Sequence, residues 1–335
     1  MDDRIRSDAL DRMVAGYFIS QAIYVAAEMC IADRLADGPR RAEELARDVG
    51  AHDRSLYRLL RALASVGVFA EDAEGRFSLT PLADLLRSDV PGSQRATVLM
   101  MVGQFYHAWG GLLDSIRTAR PAFETIYGRS FFEYLATNEE QAQIFDDAMT
   151  ARNDRKTRAM LEAYDLAGIR VLADIGGGNG NTLVSVLKKY PEMLGILFDR
   201  PGVVERARPG IVREGLAGRC QIVGGDFLER IPEAADLYLM RHILHNWDNE
   251  RAVVILSRVR DAMPDGATLL VVERVIPTGN EFLFGKIMDL NMLVMLGGIE
   301  RTDGEFRQLF ERVGLNLTRI VPTEAEVSVI EARKA

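Results

Sequence analysis

Cysteine, histidine and long apolar runs are scarce in this chain of 335 residues, which has two cysteines and four histidines. Cys30 and Cys220 lie far apart in sequence, and two thiols cannot form a disulfide framework or a four-ligand zinc site. We therefore expect no metal and a reducing, cytoplasmic setting. No apolar run reaches the roughly 20 residues of a membrane span, and the charged residues 1–4 lack the apolar stretch of a secretory signal.

Basic residues are also in deficit, with 41 Lys and Arg against 49 Asp and Glu, a net charge of −8. An acidic surface repels phosphate backbones, so we expect no nucleic acid among the partners. Because no apolar run is long enough for a span, we expect no membrane among them either. The apolar fraction of 48% and the charged fraction of 27% are ordinary for a globular protein with a sizeable core.

The pattern of the chain changes near residue 160, which predicts two domains, residues 1–155 and 156–335. Before the change, apolar residues recur at helical spacing, as in Ile19, Ile23 and Ala27. An apolar first helix, Tyr17–Ile31, suits burial against a second subunit and favours a homodimer.

Residues 41–82 predict a winged helix, with helices Glu43–Val49 and Asp53–Ser65 followed by a hairpin of Val66–Phe69 and Arg76–Leu79. This motif raises the hypothesis of a ligand-sensing DNA-binding regulator. The basic residues for that function share one face of the second helix: Arg54, Arg58 and Arg61. Acidic residues near the helix and in the wing oppose it, and favour a protein–protein module: Asp53, Glu71, Asp72 and Glu74.

After residue 160, short apolar or β-branched runs alternate with amphipathic helices. This alternation predicts a doubly wound α/β fold with a parallel sheet covered on both faces. Ligands of such sheets bind beyond the carboxyl ends of the strands. The predicted strands are Val171–Ile175, Gly195–Phe198, Gln221–Val223, Leu237–Met240, Thr268–Val272 and Val327–Ala332.

A glycine-rich segment follows the first of these strands, at residues 176–180. The dinucleotide template G-x-G-x-x-G fails in both registers, because Asn181 and Leu183 stand where glycine is required. A carboxylate beside the loop, Asp174, suits a cationic ligand such as S-adenosylmethionine, and Gly176 and Gly178 would let the backbone approach it. A plain strand-to-helix turn with an aspartate cap is the alternative.

The next two strands also end near acids. Asp199 follows its strand at the spacing at which an acid meets ribose hydroxyls in nucleotide-binding folds. Asp226 could accept the amino group of an adenine, and Phe227 could contact its ring. Solvated turn aspartates are the alternative for all three acids.

A histidine suited to proton abstraction lies at the end of the fourth strand, in the segment Met240–Asp248, which contains His242 and His245. A useful base is held in one tautomer by a carboxylate, for which Glu273 and Glu300 are the candidates. A core or surface histidine is the competing interpretation.

A methionine-rich segment follows, in which Met288, Met292 and Met295 share a helical face with Asn291 beside them. These residues either pack in the core or form a pliable apolar wall for a flat ligand.

Taken together, these motifs resemble the plant-type (caffeate and acetylserotonin-like) homodimeric O-methyltransferases, in their bacterial natural-product branch. The resemblance covers nearly the whole chain. It rests on the segments 57–61, 66–69, 127–134 and 176–180, on the histidine segment, and on Gly297–Thr302. It implies the class I, Rossmann-like methyltransferase fold behind a mostly helical N-terminal winged-helix dimerisation domain.

The resemblance also implies roles for single residues. His245 would be the general base, flanked by Glu273 and Glu300, and Arg241 would join the acids and Phe227 in contacting S-adenosylmethionine, which leaves as S-adenosylhomocysteine. Residues expected to border a small aromatic hydroxyl substrate are His107, Trp109, Phe131, Met149, Asn291 and Met295. Plant members often have asparagine at the position of Met295, so the acceptor pocket does not transfer. Decarboxylases and hydroxylases on the same fold are the alternative reaction.

Overall fold

The computed structural model describes residues 3–281 and 283–335, which form two compact units. The first unit is Met1–His107 with Leu135–Ala151, and the second is Ala108–Tyr134 with Arg152–Ala335. Within the described residues, no helix combines the length and apolarity that crossing a bilayer requires.

The chain up to residue 163 is mostly helical and contains one small antiparallel sheet, of strand order β1-β3-β2. Its elements are α1 (Asp3–Val14), α2 (Gly16–Glu28), α3 (Ile31–Arg34), β1 (Arg40–Arg41), α4 (Ala42–Val49), α5 (Asp53–Ser65), β2 (Phe69–Glu71), β3 (Arg76–Leu79), α6 (Pro81–Asp84), α7 (Arg95–Val102), α8 (Gln104–Trp109), α9 (Leu112–Thr118), α10 (Ala122–Tyr127), α11 (Phe131–Thr137) and α12 (Glu139–Ala163).

The helix–turn–helix and wing predicted from the sequence are present, and two predicted bounds in this part of the chain are wrong. The first wing strand begins at Phe69 and not at Val66, because Gly67 has φ +79° and turns the chain. The predicted helix Tyr17–Ile31 ends at Glu28, since Cys30 adopts a left-handed conformation with φ +52° before α3 begins. On α2, Tyr17, Phe18 and Ile19 are exposed.

The second unit is built on a large sheet. Its further elements are β4 (Val171–Ile175), α13 (Asn181–Lys189), β5 (Leu194–Asp199), α14 (Pro201–Arg213), β6 (Cys220–Gly224), β7 (Leu237–Arg241), a 3₁₀ turn (Leu244–Asn246), α15 (Asn249–Ala262), β8 (Thr268–Glu273), α16 (Phe284–Leu296), α17 (Asp303–Glu311), β9 (Leu315–Pro322) and β10 (Ser328–Lys334).

Seven strands of the described chain form this sheet in the order β6-β5-β4-β7-β8-β10-β9. Strands β4 to β8 are parallel to one another, and the strand order reverses between β4 and β7. Ligands bind at such a switch point in open α/β sheets. The carboxyl ends of β4 and β7 carry the glycine loop and the histidine segment, so the fold brings these two motifs to one place.

The strands are apolar on both faces because helices cover both sides of the sheet. In β8, all six residues are buried, and two separate apolar clusters lie on the two faces. The prediction of a parallel sheet is wrong at one edge, because β10 is antiparallel to β8 and β9. Strand β9 was not predicted from the sequence at all.

Candidate functional site

The glycine loop after β4 is fastened to the neighbouring strand. The backbone N–H groups of Gly176 and Gly177 donate to Phe198 O at 2.8 and 3.2 Å. A Cβ on Gly177 would lie 2.5 Å from a Leu197 methyl and 2.7 Å from Asp174 Oδ2, so the loop closes only over glycine here. Gly178 has φ +59°, and a Cβ built there would meet no atom within 4 Å.

Asp174 lies beneath this loop and is 2% exposed. Burial raises its pKa to about 7, although the neighbouring guanidinium of Arg241 lowers it. Among the described residues, none donates a hydrogen bond to Asp174 Oδ2. A buried carboxylate oxygen without a donor is costly, and a cationic ligand would stabilise its charged form.

Asp199 and the end of β6 extend the site along the sheet. Asp199 Oδ2 accepts the Gly178 N–H at 2.9 Å and Oδ1 accepts the Arg200 N–H at 2.7 Å. Burial raises the pKa of Asp199, while these two backbone hydrogen bonds lower it. Asp226 is exposed and its Oδ1 accepts the Leu228 N–H at 2.8 Å.

Phe227 is half-buried at the mouth of the glycine loop. A Cβ on Gly176 would meet Phe227 at 3.7 Å and Ile243 at 2.4 Å, so both side chains adjoin the loop. The ring of Phe227 lies edge-on to Trp247 at 6.0 Å. Arg241, at the end of β7, donates from Nη1 to Thr157 Oγ1 at 2.7 Å. Asp174, Asp199 and Phe227 thus adjoin the glycine loop, and their cofactor roles, like those of Asp226 and Arg241, stay predictions.

His245 lies in the 3₁₀ turn after β7 and is 8% exposed. Its Nδ1 is 2.9 Å from Glu300 Oε1, and the Glu300 side chain is fully buried. Because a carboxylate only accepts, Nδ1–H donates and Nε2 is left as the basic nitrogen. Of the two candidate acids, Glu300 is thus the one that orients the ring.

Arg274 supports this pair, although no pattern in the sequence indicated it. Its Nη1 donates to the same Glu300 Oε1 at 3.1 Å, and its Nη2 lies 3.6 Å from the half-exposed Glu326. Burial alone would raise the pKa of Glu300, but the charges and hydrogen bonds of His245 and Arg274 hold it below its usual range. Glu300 is therefore ionised over the pH range in which an imidazole ordinarily gains or loses its proton.

Glu273 acts on the backbone of the histidine segment. Its Oε1 accepts the N–H groups of Ile243 and His245 at 3.0 and 3.1 Å, and its side chain does not hydrogen-bond the ring. Burial raises the pKa of Glu273, whereas the neighbouring His245 lowers it. An acid at a strand end thus holds the turn that carries the imidazole.

Arg301 binds carbonyl groups of the same turn, and no pattern in the sequence indicated this role. The guanidinium donates to Leu244 O at 3.0 Å and to Trp247 O at 2.9 Å, while the residue is 1% exposed. Ile299 N–H donates to His245 O at 2.9 Å, and a Cβ on Gly298 would lie 2.0 Å from that oxygen. Residues 298–301 therefore fix the backbone of the base as well as its ring.

His242 is a further buried histidine beside the predicted base. Its ring centroid lies 5.1 Å from that of His245, and Lys156 Nζ is 3.0 Å from its Nε2. Burial lowers its pKa well below the usual value, and Lys156 adds to this effect. Its φ of +54° is unusual for a residue with a Cβ and marks a backbone held by its surroundings.

The residues predicted to border the acceptor divide between the two units. Trp109 Nε1 donates to Asn291 Oδ1 at 2.9 Å within the second unit, and Asn291 and Met295 are both buried on α16. Phe131 is buried against Phe123, with ring centroids 5.3 Å apart. His107 and Met149 belong to the first unit, and their roles stay predictions.

Comparisons with known proteins give matches over nearly the whole chain. Residues 109–316 match the O-methyltransferase domain model, and residues 12–89 match the O-methyltransferase dimerisation domain model. The phenazine O-methyltransferase PhzM of Lysobacter antibioticus is 43% identical, over 98% of this chain and 96% of the relative. The mitomycin biosynthesis 6-O-methyltransferase of Streptomyces lavendulae is 37% identical, over 98% of this chain and 95% of the relative.

Solved structures give the same result. The crystal structure of LaPhzM superposes with a TM-score of 0.94 at 42% identity, covering 98% of this chain and 99% of that one. The neocarzinostatin enzyme NcsB1, solved with S-adenosylmethionine and 2-hydroxy-5-methyl naphthoic acid, has a TM-score of 0.85 at 34% identity, covering 94% and 96%. The aclacinomycin 10-hydroxylase RdmB of Streptomyces purpurascens is also 36% identical, over 92% of this chain and 84% of the relative.

Proposed function

We propose that this chain, which belongs to the O-methyltransferase family, transfers the methyl group of S-adenosylmethionine to a hydroxyl of a small aromatic acceptor, with His245 as general base. The observation that carries the proposal is the buried hydrogen bond from His245 Nδ1 to Glu300, which leaves Nε2 able to take a proton. This imidazole follows β7, next to the switch point where the glycine loop also lies.

The residues around the glycine loop fit S-adenosylmethionine. Asp174 would bind its ammonium and Asp199 its ribose hydroxyls, while Asp226 and Phe227 would contact its adenine. Arg241 would be a further cofactor contact, and the open space beside Gly178 would allow the ligand to approach the backbone. The absence of a donor on Asp174 Oδ2 among the described residues supports a cationic ligand. When bound, S-adenosylmethionine supplies an activated methyl group and leaves as S-adenosylhomocysteine.

The chain contributes alignment and proton removal. Holding the hydroxyl oxygen in line with the methyl group can lower the barrier by roughly 7–11 kcal/mol. His245 takes the hydroxyl proton on Nε2 as negative charge develops on the oxygen, which contributes about 10²- to 10⁴-fold. Glu300 stabilises the imidazolium that results, and Glu273 and Arg301 keep the turn in place.

An aromatic natural product is the proposed acceptor class. The relatives named above act in phenazine, mitomycin and neocarzinostatin chemistry, and NcsB1 was crystallised with a naphthoic acid. The buried methionines of α16 would supply an apolar surface for a flat ring.

Hydroxylation is the alternative that the 36% identical RdmB raises. The ordered His245–Glu300 pair favours methyl transfer, since a base with a fixed tautomer suits deprotonation of a hydroxyl. A DNA-binding regulator is less well supported, because the winged-helix segment falls within the dimerisation match.

We further propose a cytoplasmic homodimer in which residues 1–155 form the dimerisation domain and residues 156–335 the catalytic domain. The match to a dimerisation domain and the exposed apolar residues of α2 support the dimer. Both cysteines are free thiols, which suits a reducing compartment.

Methyl transfer from labelled S-adenosylmethionine to a panel of phenols, followed by mass spectrometry of the products, tests the reaction directly. The His245→Ala variant should bind S-adenosylhomocysteine as the wild type does and lose about 10²- to 10⁴-fold in turnover. Unchanged turnover at neutral pH would refute the assignment of the base. A gel-shift assay against genomic fragments tests the regulator alternative.

A further inference from the structure

The strongest unexplained feature near the acceptor side of the site is the amide of Asn291. The residue is 3% exposed and lies on the buried face of α16 with Met288, Met292 and Met295. Within the described part of the chain, its Nδ2 atom has no hydrogen-bond partner. Burying an amide nitrogen without an acceptor is unfavourable, so this position requires an explanation.

Trp109 fixes which way the amide points. The indole Nε1–H is a donor only, and it lies 2.9 Å from the Asn291 side chain. The atom facing Trp109 must therefore be the carbonyl oxygen, which accepts. The NH₂ group then faces the other way, and a flipped amide would bring two donors together. Methionine thioethers, its neighbours on this face, are weak acceptors that cannot replace a full partner.

The C-terminal end of α16 adjoins the predicted base. Ile299 and Gly298, which follow the helix, contact His245 O, and α16 packs against the 3₁₀ turn that carries His245. Asn291 precedes Gly297 by six residues, which is about 9 Å along the helix axis. Asn291 thus lies on the helix that packs against the turn carrying His245, and a fused-ring acceptor with its hydroxyl at His245 would extend along this helix.

We propose that Asn291 is a specificity-determining residue, whose NH₂ group donates to a ring nitrogen or carbonyl oxygen on the edge of a fused aromatic acceptor remote from the reacting hydroxyl. The inference rests on the proposed function, because it takes the hydroxyl to be at His245. Trp109 is a positioning residue in this scheme, since it acts by orienting the amide.

A matched pair of compounds tests the proposal. A monohydroxyphenazine has ring nitrogens that accept hydrogen bonds, and the monohydroxyanthracene of the same substitution has C–H groups in their place. Dissociation constants for both are measured in the presence of S-adenosylhomocysteine, and kcat/KM is measured with S-adenosylmethionine. The wild type should prefer the phenazine by about 5- to 150-fold, because only the phenazine satisfies the buried donor.

Substitutions at Asn291 and Trp109 test whether the Asn291 NH₂ group is the donor that gives this preference. Asn291→Leu is nearly isosteric but has no side-chain N–H. In this variant the ratio of affinities for the phenazine over the anthracene should fall to about one or below. Trp109→Phe frees the amide to turn and should give an intermediate ratio, which keeps the proposal testable if the leucine variant does not fold. The exposed Asn316→Leu is the control and should retain the wild-type ratio.

Equal affinity of the wild type for the two compounds, or an unchanged ratio in Asn291→Leu, would overturn the inference, and so would failure of both compounds to bind. If the binding ratio behaves as expected but neither compound is methylated, the proposed function fails and the recognition by Asn291 stands. If both are methylated with a ratio near one, the function stands and the role of Asn291 does not.

Discussion

Replacing Glu300 by glutamine tests the central pair without changing the shape of the side chain. Glu300 Oε1 accepts from His245 Nδ1 at 2.9 Å and from Arg274 at 3.1 Å, both in buried surroundings. When His245 takes a proton, the wild-type carboxylate stabilises the imidazolium through a charge-assisted hydrogen bond worth about 1.5–3 kcal/mol. The variant should therefore lose about 10- to 150-fold in kcat.

The assay is single-turnover methyl transfer with labelled S-adenosylmethionine, in a double-mutant cycle with His245→Ala. If Glu300 acts only through the imidazole, its substitution should cost almost nothing further once His245 is gone. Equal losses of kcat from Glu300→Gln in both backgrounds would refute the reasoning.

A control separates catalysis from stability. Glu300→Gln leaves the buried guanidinium of Arg274 without its closest carboxylate, so we expect a lower melting temperature as well. Glu326→Gln removes the other acid near Arg274, at 3.6 Å, and does not touch His245. It should retain the wild-type kcat.

Three further predictions concern cofactor and assembly. Asp199→Ala should weaken binding of S-adenosylhomocysteine, and calorimetry showing an unaltered dissociation constant would exclude the ribose role. Burial raises the pKa of Asp174 from 3.8 to about 7 in the folded protein. The free energy of unfolding of the unliganded protein should therefore fall as pH rises from 3.8 through 7. The affinity for S-adenosylmethionine should instead rise over roughly pH 6–8, because the carboxylate ionises there. Asp174→Asn should flatten both profiles, in thermal melts and in calorimetry, and a persistent slope would contradict this origin. Deleting residues 1–30 should give a monomer, which sedimentation velocity would show; a stable dimer would mean that other surfaces hold the subunits.

Periodicity and strand-end chemistry were sufficient to predict much of the fold. The largely apolar run of β4 and the acids at the carboxyl ends of β4 and β5 predicted the sheet and the edge at which a ligand would bind. Strand β9 was missed although Leu315–Pro322 partly alternates apolar and polar residues, as expected of a strand at the edge of a sheet. A search for half-buried strands would have found it.

The contacts of the site were less predictable, because they join residues far apart in sequence. Nothing in the order of residues indicates that Glu300 contacts the imidazole of His245 while Glu273 contacts its backbone. Arg301 read as the middle residue of a Glu-Arg-Thr segment, yet its donors reach carbonyls more than fifty positions earlier in the chain. Only the tertiary fold specifies such pairings.

A short parallel bridge joins the two ends of the segment that contains α16. Val275 pairs with Arg301, and Ile276 N–H donates to Arg301 O at 2.9 Å, so the two ends meet next to Glu273 and Glu300. The bridge therefore fixes both ends of the segment that carries Asn291. Because Asp289 in this segment accepts the Glu300 N–H at 2.8 Å, we expect a chimera that exchanges other residues of α16 but keeps Asp289 to change selectivity while His245 stays in place.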